Sequence, residues 1–531
     1  MPPALSYPGV YIEELPSGVH TITGVATSIA AFVGWAPEGR TDQATLVQSF
    51  PEFAAQFGGL DPRSLLGYSV NHFFGNGGQQ AYIVRLVVDQ FVKANGSAGL
   101  TLAVSGKVSV PLQVGPGNAF DVSAIDEGLW STTYGLRIVT STVDNTRFTL
   151  NVVNTTTTAS GTQESVVESF VNLSMLGNDS QSRTVDKVIN DPRTGSQLIR
   201  LSNVNSGAGV QPAQNLSPVA PYNLVGGDDG SVLTPGTGDF ELALLGNNGV
   251  GGVHQLDTVP IFNLLCVPGE TTAATIASLQ KYCNDLRAFY IVDCKPDDNF
   301  AGLRSGPPSG TTGPFSINSA FYFPWVNAPD PLQQNRPAPF PPCGFVAGIY
   351  AATDASRGVW KAPAGIDAGL TGGSSLTTVL TDLQNGTLNT QAINCLRNFR
   401  VYGDVVWGAR TLQGSDEAGS QWKYIPIRRM ALFLESSLYE GTQWVVFEPN
   451  DEKLWSQIRL NVGAFMQDLF LKGAFQGTTP QKAYFVKCDG ENNPQSSIDQ
   501  GIVNILVGFA PLYPAEFVVI QIQQMAGQLQ A

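Results

Sequence analysis

The chain has 531 residues, of which 43% are hydrophobic and only 14% charged, and its formal net charge is −14 at pH 7. This length is enough for roughly two to four domains and at least one large core. The acidic balance argues against a nucleic-acid coat, which needs a basic stripe, and is compatible with packing around a basic partner. A charged share below the usual quarter is typical of a surface that partners cover, although a stable monomer could share it.

Residues 1–24 are interpreted as an N-terminal linker arm. Residues 7–14 form a short β-prone run bounded by Pro and Gly, with too few apolar side chains for a core of their own. The run is either a frayed terminus or a strand that completes another sheet. The first basic residue is Arg40, so the cationic start of a secretory signal is missing, and no apolar run is long enough to span a bilayer.

Two segments, residues 25–90 and 220–400, are predicted to form an α/β core. Residues 261–267 and 289–293 are apolar, strand-like runs, and a helix capped by Thr271 or Thr272 lies between them. Strands that are buried on both faces of a parallel sheet have continuous apolar sequences of this kind. Two such strands joined by a helix predict a right-handed βαβ unit. Residues 344–351 are predicted to be another apolar strand of the same core.

Residues 91–219 differ in texture from the segments on either side. They are rich in Ser, Thr, Asn, Val and Gly, and residues 135–140 and 147–153 alternate in polarity as strands do. We interpret this segment as a β-rich inserted outer domain.

Residues 401–514 are predicted to form an α+β C-terminal domain. A short strand at residues 444–447 is expected to end at Pro449. Asn450 is the predicted N-cap of a helix over residues 451–472, whose apolar positions recur at three- and four-residue spacing. Residues 515–531 then form a C-terminal linker strand.

Sequence motifs for chemistry are largely missing. Only three histidines occur, His20, His72 and His254, and the chain has no His-Glu-x-x-His, Gly-x-Ser-x-Gly or Walker A sequence. The Gly-Gly-Asp-Asp-Gly run at residues 226–230 is a polar turn or, less simply, a cation loop. Asp293 ends a strand where α/β enzymes place functional groups, but it has no partner nearby in sequence. We predict no catalytic residue, metal or cofactor, and therefore no enzyme.

The six cysteines are spread along the chain without a Cys-x-x-Cys pair. Several of them stand in apolar runs, so we expect buried free thiols, as in proteins made in a reducing cytoplasm.

Several motifs, in this order, resemble contractile tail sheath proteins of bacteriophage tails and extracellular injection systems. They are Pro8-Gly9-Val10-Tyr11-Ile12-Glu13-Glu14, Val406-Trp407-Gly408-Ala409-Arg410, Tyr424-Ile425-Pro426-Ile427-Arg428-Arg429, and Phe447-Glu448-Pro449-Asn450-Asp451 with Leu454-Trp455. The resemblance covers residues 7–89 and 220–524 and is looser in the insertion.

The resemblance implies an α/β core, a mixed sheet with flanking helices and a subtilisin-like central layer, together with the terminal arms. It also implies hexameric rings that stack helically around an inner tube and contract to drive the tube through a target envelope. The implied partners are other copies of the chain, the inner tube protein, and baseplate and terminal cap proteins. No nucleic acid or membrane insertion is expected, and the particle would be assembled in the bacterial cytoplasm as a phage tail or a released injection particle.

Two sets of assembly residues are predicted. Both terminal segments are β-prone, so intersubunit strand exchange is expected through Val10, Tyr11, Ile12, Val518, Ile520 and Ile522. Contact with tube carboxylates is expected through Lys453, Arg459 and Lys472, on the polar face of the helix over residues 451–472.

Two other functions stay open from the residues alone. An α/β hydrolase-like enzyme with a β insertion would need a nucleophile and base that the sequence does not show. A secreted adhesin has only the β insertion in its favour.

Overall fold

The computed structural model describes residues 20–144, 146–158, 161–207 and 210–521. The chain divides into two compact units. The core unit comprises residues 28–352 and 364–420, and the C-terminal unit comprises residues 353–363 and 421–531 together with residues 1–27. Within the described ranges, no helix is both long and apolar enough to cross a membrane.

The strands are numbered in chain order. They are β1 (Ala30–Trp35), β2 (Thr45–Val47), β3 (Ala81–Leu86), β4 (Lys107–Pro111), β5 (Asn118–Ala124), β6 (Tyr134–Thr140), β7 (Arg147–Thr158), β8 (Gly161–Ser174), β9 (Ile199–Ser202), β10 (Tyr222–Asn223), β11 (Leu264–Cys266), β12 (Phe289–Asp293), β13 (Ser319–Phe323), β14 (Val326–Asp330), β15 (Arg336–Phe340), β16 (Ser375–Leu376), β17 (Ile393–Phe399), β18 (Gly403–Val406), β19 (Tyr484–Lys487) and β20 (Leu506–Phe509).

The α-helices are numbered in the same way. They are α1 (Phe50–Phe57), α2 (Leu66–Gly75), α3 (Gln90–Asn95), α4 (Val185–Ile189), α5 (Gly238–Leu245), α6 (Ala273–Asp285), α7 (Phe300–Leu303), α8 (Cys343–Arg357), α9 (Asp382–Thr390), α10 (Ile425–Gly441), α11 (Glu452–Leu471), α12 (Pro480–Ala483) and α13 (Gln495–Asp499).

The core unit is built around an eight-stranded sheet of order β18-β17-β13-β12-β11-β1-β3-β2. Its inner strands run parallel, and the two edge strands β18 and β2 are antiparallel to their neighbours. The predicted βαβ unit is confirmed, because β11 and β12 pair in parallel and α6 connects them. All positions of β1, β11 and β12 are buried, which explains their continuous apolar sequences. The predicted α/β class with several sheets is therefore confirmed.

The inserted region has a hydrophobic core of its own. A four-stranded sheet of order β10-β6-β7-β8 and a three-stranded sheet of order β4-β5-β9 enclose it. The predicted strands at residues 135–140 and 147–153 correspond to β6 and β7, which pair antiparallel. The fully buried members of this core include Phe120, Ile138, Phe148 and Leu150.

The inserted β structure begins later than the change in composition suggests. Val92 on α3 is 1% exposed and packs in the core around the large sheet, not in the inserted core. Two strand-like segments then connect the two cores, with bridges from Val104 to Asp228 and from Lys107 to Val225. Residues 91–104 therefore pack with the α/β layer.

The C-terminal unit packs α10 and α11 with the two-stranded antiparallel sheet of β19 and β20. The buried face of α11 carries Trp455, Ile458, Val462 and Met466, at the three- and four-residue spacing that the sequence predicts. Ile22 lies inside the predicted arm of residues 1–24 but is 6% exposed in the same core, so the end of that segment packs with the C-terminal unit.

Two predicted strands are wrong. Residues 344–351 lie in α8, where Gly344 and Gly348 let the helix approach α2 closely. A Cβ at Gly344 would lie 2.4 Å from the Ser69 carbonyl oxygen. A helix that is apolar on all sides and a buried strand have the same short-range pattern, which is why the prediction failed. Residues 444–447 also form no strand, because Gln443–Val445 is a 3₁₀ helix.

The predicted N-cap of α11 is wrong by one residue. The Asp451 carboxylate accepts from the backbone N–H of Leu454 at 2.9 Å, so Asp451 is the N-cap. The Asn450 side chain instead accepts from Trp455 Nε1 at 2.8 Å and donates to the Ile502 carbonyl at 3.0 Å. Asn450 therefore ties the start of α11 to the loop before β20.

Candidate assembly surfaces

The described histidines do not form a hydrolase site. His72 is buried and stacks on Phe345 with 3.9 Å between ring centroids. Burial lowers its pKa to about 3, so the imidazole stays neutral. His254 Nδ1 lies 3.1 Å from an Asp257 carboxylate oxygen, but no Ser hydroxyl or Cys thiol hydrogen-bonds to this imidazole within the described ranges. His254 therefore has a carboxylate, that of Asp257, which could orient it, but the described residues provide no nucleophile that it could activate.

Asp293 at the carboxyl end of β12 has a structural role. Its two carboxylate oxygens accept the backbone N–H groups of Gly269, at 3.0 Å, and Cys343, at 2.8 Å. The group is fully buried, and burial raises its pKa to about 6. It connects the turn after β11 to the start of α8.

The cysteines and Asp229 also have structural surroundings and not those of a catalytic site. All six cysteines are buried free thiols, as predicted. Burial raises the pKa of Cys283, Cys294 and Cys343 well above the usual range, which makes these thiols unreactive. The Asp229 carboxylate accepts from the backbone N–H of Leu129 at 2.8 Å and pairs with Arg63 at 3.3 Å. No group of His, Cys, Asp and Glu that could hold a metal occurs in the described part of the chain.

The predicted strand-exchange residues lie at the two ends of the chain. Val10, Tyr11, Ile12 and Ile522 fall outside the described residues. Val518 and Ile520 are described, and their exposed fractions are 81% and 79%. The segment 511–521 has no regular secondary structure.

The terminal segment is nonetheless attached at its base. The Tyr424 hydroxyl at the start of α10 donates to a Glu516 carboxylate oxygen at 3.1 Å. The Tyr424 ring also meets the Tyr513 ring edge-on, with centroids 6.1 Å apart. The apolar residues after Glu516 are exposed beyond this attachment.

The sheet of β19 and β20 provides free strand edges in the C-terminal unit. It has only two strands, so each strand has one side without a partner in the described structure. Phe485 on β19 and Leu506 on β20 are 53% and 52% exposed. A two-stranded sheet is marginal by itself and is stabilised by further strands or by packing against a helix, as this one packs with α11. The sequence indicates both strands, but only their pairing shows that the sheet has two strands in the described structure.

The three predicted tube-contact residues differ in their surroundings. Lys453 is exposed in the first turn of α11. Arg459 pairs with Glu452 at 2.6 Å and also donates to the Cys488 carbonyl. Lys472 pairs with Asp468 at 2.7 Å. Lys453 is thus the simplest probe of a charge-dependent contact, since the other two cations take part in intramolecular ion pairs.

The C-terminal part of the chain matches a family model. Residues 417–525, which include α10, α11, β19 and β20, match the phage tail sheath C-terminal domain. These elements carry the sheet edges and the three cations described above.

Two relatives that are named as sheath proteins match longer stretches of the chain than the family model does. A putative prophage major tail sheath protein of Pseudomonas aeruginosa (strain UCBPP-PA14) is 26% identical over 257 residues, which is 48% of this chain and 62% of that protein. The tail sheath protein of Vibrio phage KVP40 is 24% identical over an alignment of 310 residues, and the match covers 52% of this chain and 43% of that protein. The matched region thus spans less than two thirds of each relative's length.

A solved structure with the same fold extends over nearly the whole chain. The helical sheath of the anti-feeding prophage in its contracted state is 21% identical, with a TM-score of 0.57, and the match covers 98% of this chain and all of that one. The matched relatives are structural tail sheath proteins, in agreement with the prediction that this protein is not an enzyme. The predicted resemblance is therefore confirmed: residues 417–525 match the phage tail sheath C-terminal domain, about half of the chain is similar to proteins named as tail sheath proteins, and the fold is that of a solved sheath structure.

Proposed function

We propose that the protein is a sheath subunit that polymerises as helically stacked hexameric rings around an inner tube and contracts to drive the tube through a target envelope. The observation that carries the proposal is the pair of free edges on the β19–β20 sheet, together with an exposed, β-prone C-terminal segment in the same unit. An edge and a spare strand on every copy allow each copy to bind the next.

The energetics favour strand exchange as a durable link. A strand that pairs over residues 517–523 would add about four to six backbone hydrogen bonds at about 1 kcal/mol net each. Burial of the exposed side chains Phe517, Val518 and Ile520 would add roughly 25 cal/mol per Å² of apolar area. Residues 8–14 would pair in the same way. Such links hold neighbours together while rigid surfaces rearrange.

We assign each segment of the chain a part in the proposed assembly. Residues 1–24 and 515–531 are the linkers, and residues 401–514 are the inner domain. Residues 25–90 and 220–400 form a core with a subtilisin-like central layer, and residues 91–219 are an outer insertion whose first part, residues 91–104, packs with that core. Likeness of fold to a protease does not carry protease activity, and the histidine geometry described above supports a structural layer.

The other partners follow from the same resemblance. The inner tube protein would contact Lys453, Arg459 and Lys472, and baseplate and terminal cap proteins would bind the two ends of the polymer. Assembly would take place in the bacterial cytoplasm, and the particle would be a phage tail or a released injection particle. The acidic chain, with a net charge of −14, is compatible with a basic partner surface.

Removal of the N-terminal arm tests the proposal. The deletion is best placed at residues 1–19, because Ile22 is buried in the C-terminal unit and His20 stacks on Trp444 at 4.3 Å. We expect the shortened chain to be a folded monomer that forms no rings or tubes in electron micrographs. The matched control replaces residues 1–19 with a Gly/Ser segment of equal length, which should also fail to polymerise. Normal tubes from either variant would contradict strand exchange by the N-terminal arm, whereas a wild-type chain that forms no rings or tubes would contradict the proposed function.

A further inference from the structure

The loop before α11 displays an apolar tip. Phe447 is fully exposed and Val446 is 57% exposed, with Ile502 nearby at 45%. The backbone of Phe447 has φ 70°, in the left-handed region that bulky side chains rarely adopt. Exposure of a large aromatic side chain by a strained backbone costs free energy, so it persists where the surrounding structure enforces it.

The base of this loop is rigid. Trp444 stacks on His20 with 4.3 Å between ring centroids. The Glu448 N–H donates to the Val445 carbonyl at 3.2 Å, and Asn450 is held by the Trp455 and Ile502 groups described above. The tip is therefore a pre-formed projection, which binds at a lower cost in conformational entropy than a mobile loop.

The tip has an acidic rim. Glu440 and Glu448 are exposed and form no ion pair in the described part of the chain. Asp451 and Glu452 are also exposed, but Asp451 caps α11 and Glu452 pairs with Arg459, and the exposed Lys453 follows them. The free negative charge nearest the tip is therefore that of Glu448. An apolar projection with such a rim is complementary to an apolar surface that carries cations.

The core unit has a surface of that kind at the turn between β17 and β18. Val401 and Tyr402 are 82% and 54% exposed there, beside the exposed Arg400. Arg400 forms no ion pair within the described ranges. The turn thus displays apolar side chains with an uncompensated positive charge.

The β17–β18 turn is also rigid. The Tyr402 N–H donates to the Phe399 carbonyl at 3.1 Å, and the Phe399 ring packs on Trp407 with centroids 4.5 Å apart. The Arg397 guanidinium lies over the Phe399 ring at 5.2 Å and pairs with Asp382 at 2.7 Å. Both surfaces are thus held in place before any partner arrives.

We propose that the Phe447 tip of one copy docks on the β17–β18 turn of a second copy of this chain. Phe447 would pack against Val401 and Tyr402, and Glu448 would face Arg400. The two patches are different surfaces, so the contact is head-to-tail: the first copy keeps its free β17–β18 turn and the second copy keeps its free Phe447 tip, and each can bind a further copy. The inference rests on the proposed polymerisation and names the contact that would act alongside strand exchange.

Thiol cross-linking tests the contact directly. Because all six native cysteines are buried, a chain with Val446→Cys and Tyr402→Cys carries two exposed introduced thiols. Mild oxidation of polymers should give a ladder of disulfide-linked chains on a non-reducing gel. The control pairs Val446→Cys with Val143→Cys, a position that is 95% exposed in the inserted region, and should give no ladder.

Charge exchange provides the second measurement. Arg400→Glu and Glu448→Arg should each weaken polymerisation about fivefold, as expected for an exposed pair repeated along a polymer. The double variant should recover to within about twofold of the wild type.

Polymers that give no ladder, with no recovery in the double variant, would overturn this contact only. A link from the introduced thiol at position 446 to a co-assembled tube protein would overturn it in favour of tube binding. A wild-type chain that forms no polymers would overturn both the proposed function and this contact.

Discussion

Arg429 and Asp354 form a buried, two-pronged ion pair in the C-terminal unit. The guanidinium donates to both carboxylate oxygens, at 2.9 and 2.6 Å, and both side chains are 3% exposed. Arg429 also donates to the Thr27 carbonyl at 2.9 Å. Three separate segments of the chain, near residues 27, 354 and 429, are thereby joined in one unit.

Asp354→Asn should destabilise the folded chain by roughly 3–5 kcal/mol, because it leaves the Arg429 charge buried without a counter-charge. Urea unfolding of the monomer measures the change. The control is Asp468→Asn, which breaks the exposed Lys472 pair, with side chains 59% and 56% exposed, and should cost less than about 1 kcal/mol. Equal losses in the two variants would show that the buried pair contributes no more than a surface pair.

The stability of the core unit should depend on pH through Asp293. Its pKa is raised from 3.8 to about 6, so the folded state binds this proton more tightly than the unfolded state. Protonation then stabilises the fold as pH falls through about 6, and this contribution is lost as pH rises. Between pH 8 and pH 5.5 the wild type should gain roughly 1 kcal/mol relative to Asp293→Asn. Urea unfolding at the two pH values measures this difference, and a constant difference would refute the titration.

The inserted region should be removable without loss of the core. Lys107 and Val225 are bridge partners, so residues 108–224 can be replaced by a short Gly/Ser link between two adjacent strands. Because the removed segment has its own hydrophobic core, the remainder should fold and still assemble. Circular dichroism and electron microscopy measure the two outcomes. Replacement of residues 91–219 is the control, and should be worse because it removes Val92 from the main core. An unfolded 108–224 deletion would contradict the independence of the insertion.

Charge reversal on α11 should impair binding to the inner tube. The triple variant Lys453→Glu, Arg459→Glu and Lys472→Glu should lose co-sedimentation with isolated tubes and keep its helical signal. Since Arg459 and Lys472 also pair with Glu452 and Asp468, the single variant Lys453→Glu is the cleaner probe. Lys281→Glu on α6 of the core unit is the matched control. Unchanged tube binding by the triple variant would refute the assignment.

A proline in the C-terminal segment should block strand exchange. Ile520 is 79% exposed, so Ile520→Pro disturbs little within its own chain, but it removes the N–H that a strand donates to its neighbour. We expect a monomer of unchanged melting temperature that polymerises poorly, as measured by sedimentation. Ile520→Val retains both the N–H and the apolar side chain and should polymerise normally. Normal tubes from the proline variant would show that this segment is no exchanged strand.

The local patterns of the sequence determined much of this structure. The apolar strands β11 and β12, the stripe of α11 and the alternation of β6 and β7 each depend on neighbours within a few residues. A nucleophile–base motif is also a local pattern, and the sequence shows none. The order of the sheath-like motifs indicated the family before any pairing of strands was known.

The tertiary structure decided what depends on distant residues. The apolar run at residues 344–351 is a helix, in which Gly344 and Gly348 allow a close approach to α2. Ile22 belongs to a core formed by residues more than 300 positions away. The exposure of Phe447, the cations already paired on α11 and the free edges of β19 and β20 also emerge only from the folded chain. Burial and partner choice are long-range properties, because residues far apart in sequence compete for the same space. The hydrophobic periodicity of one segment therefore does not show which distant residues will bury it.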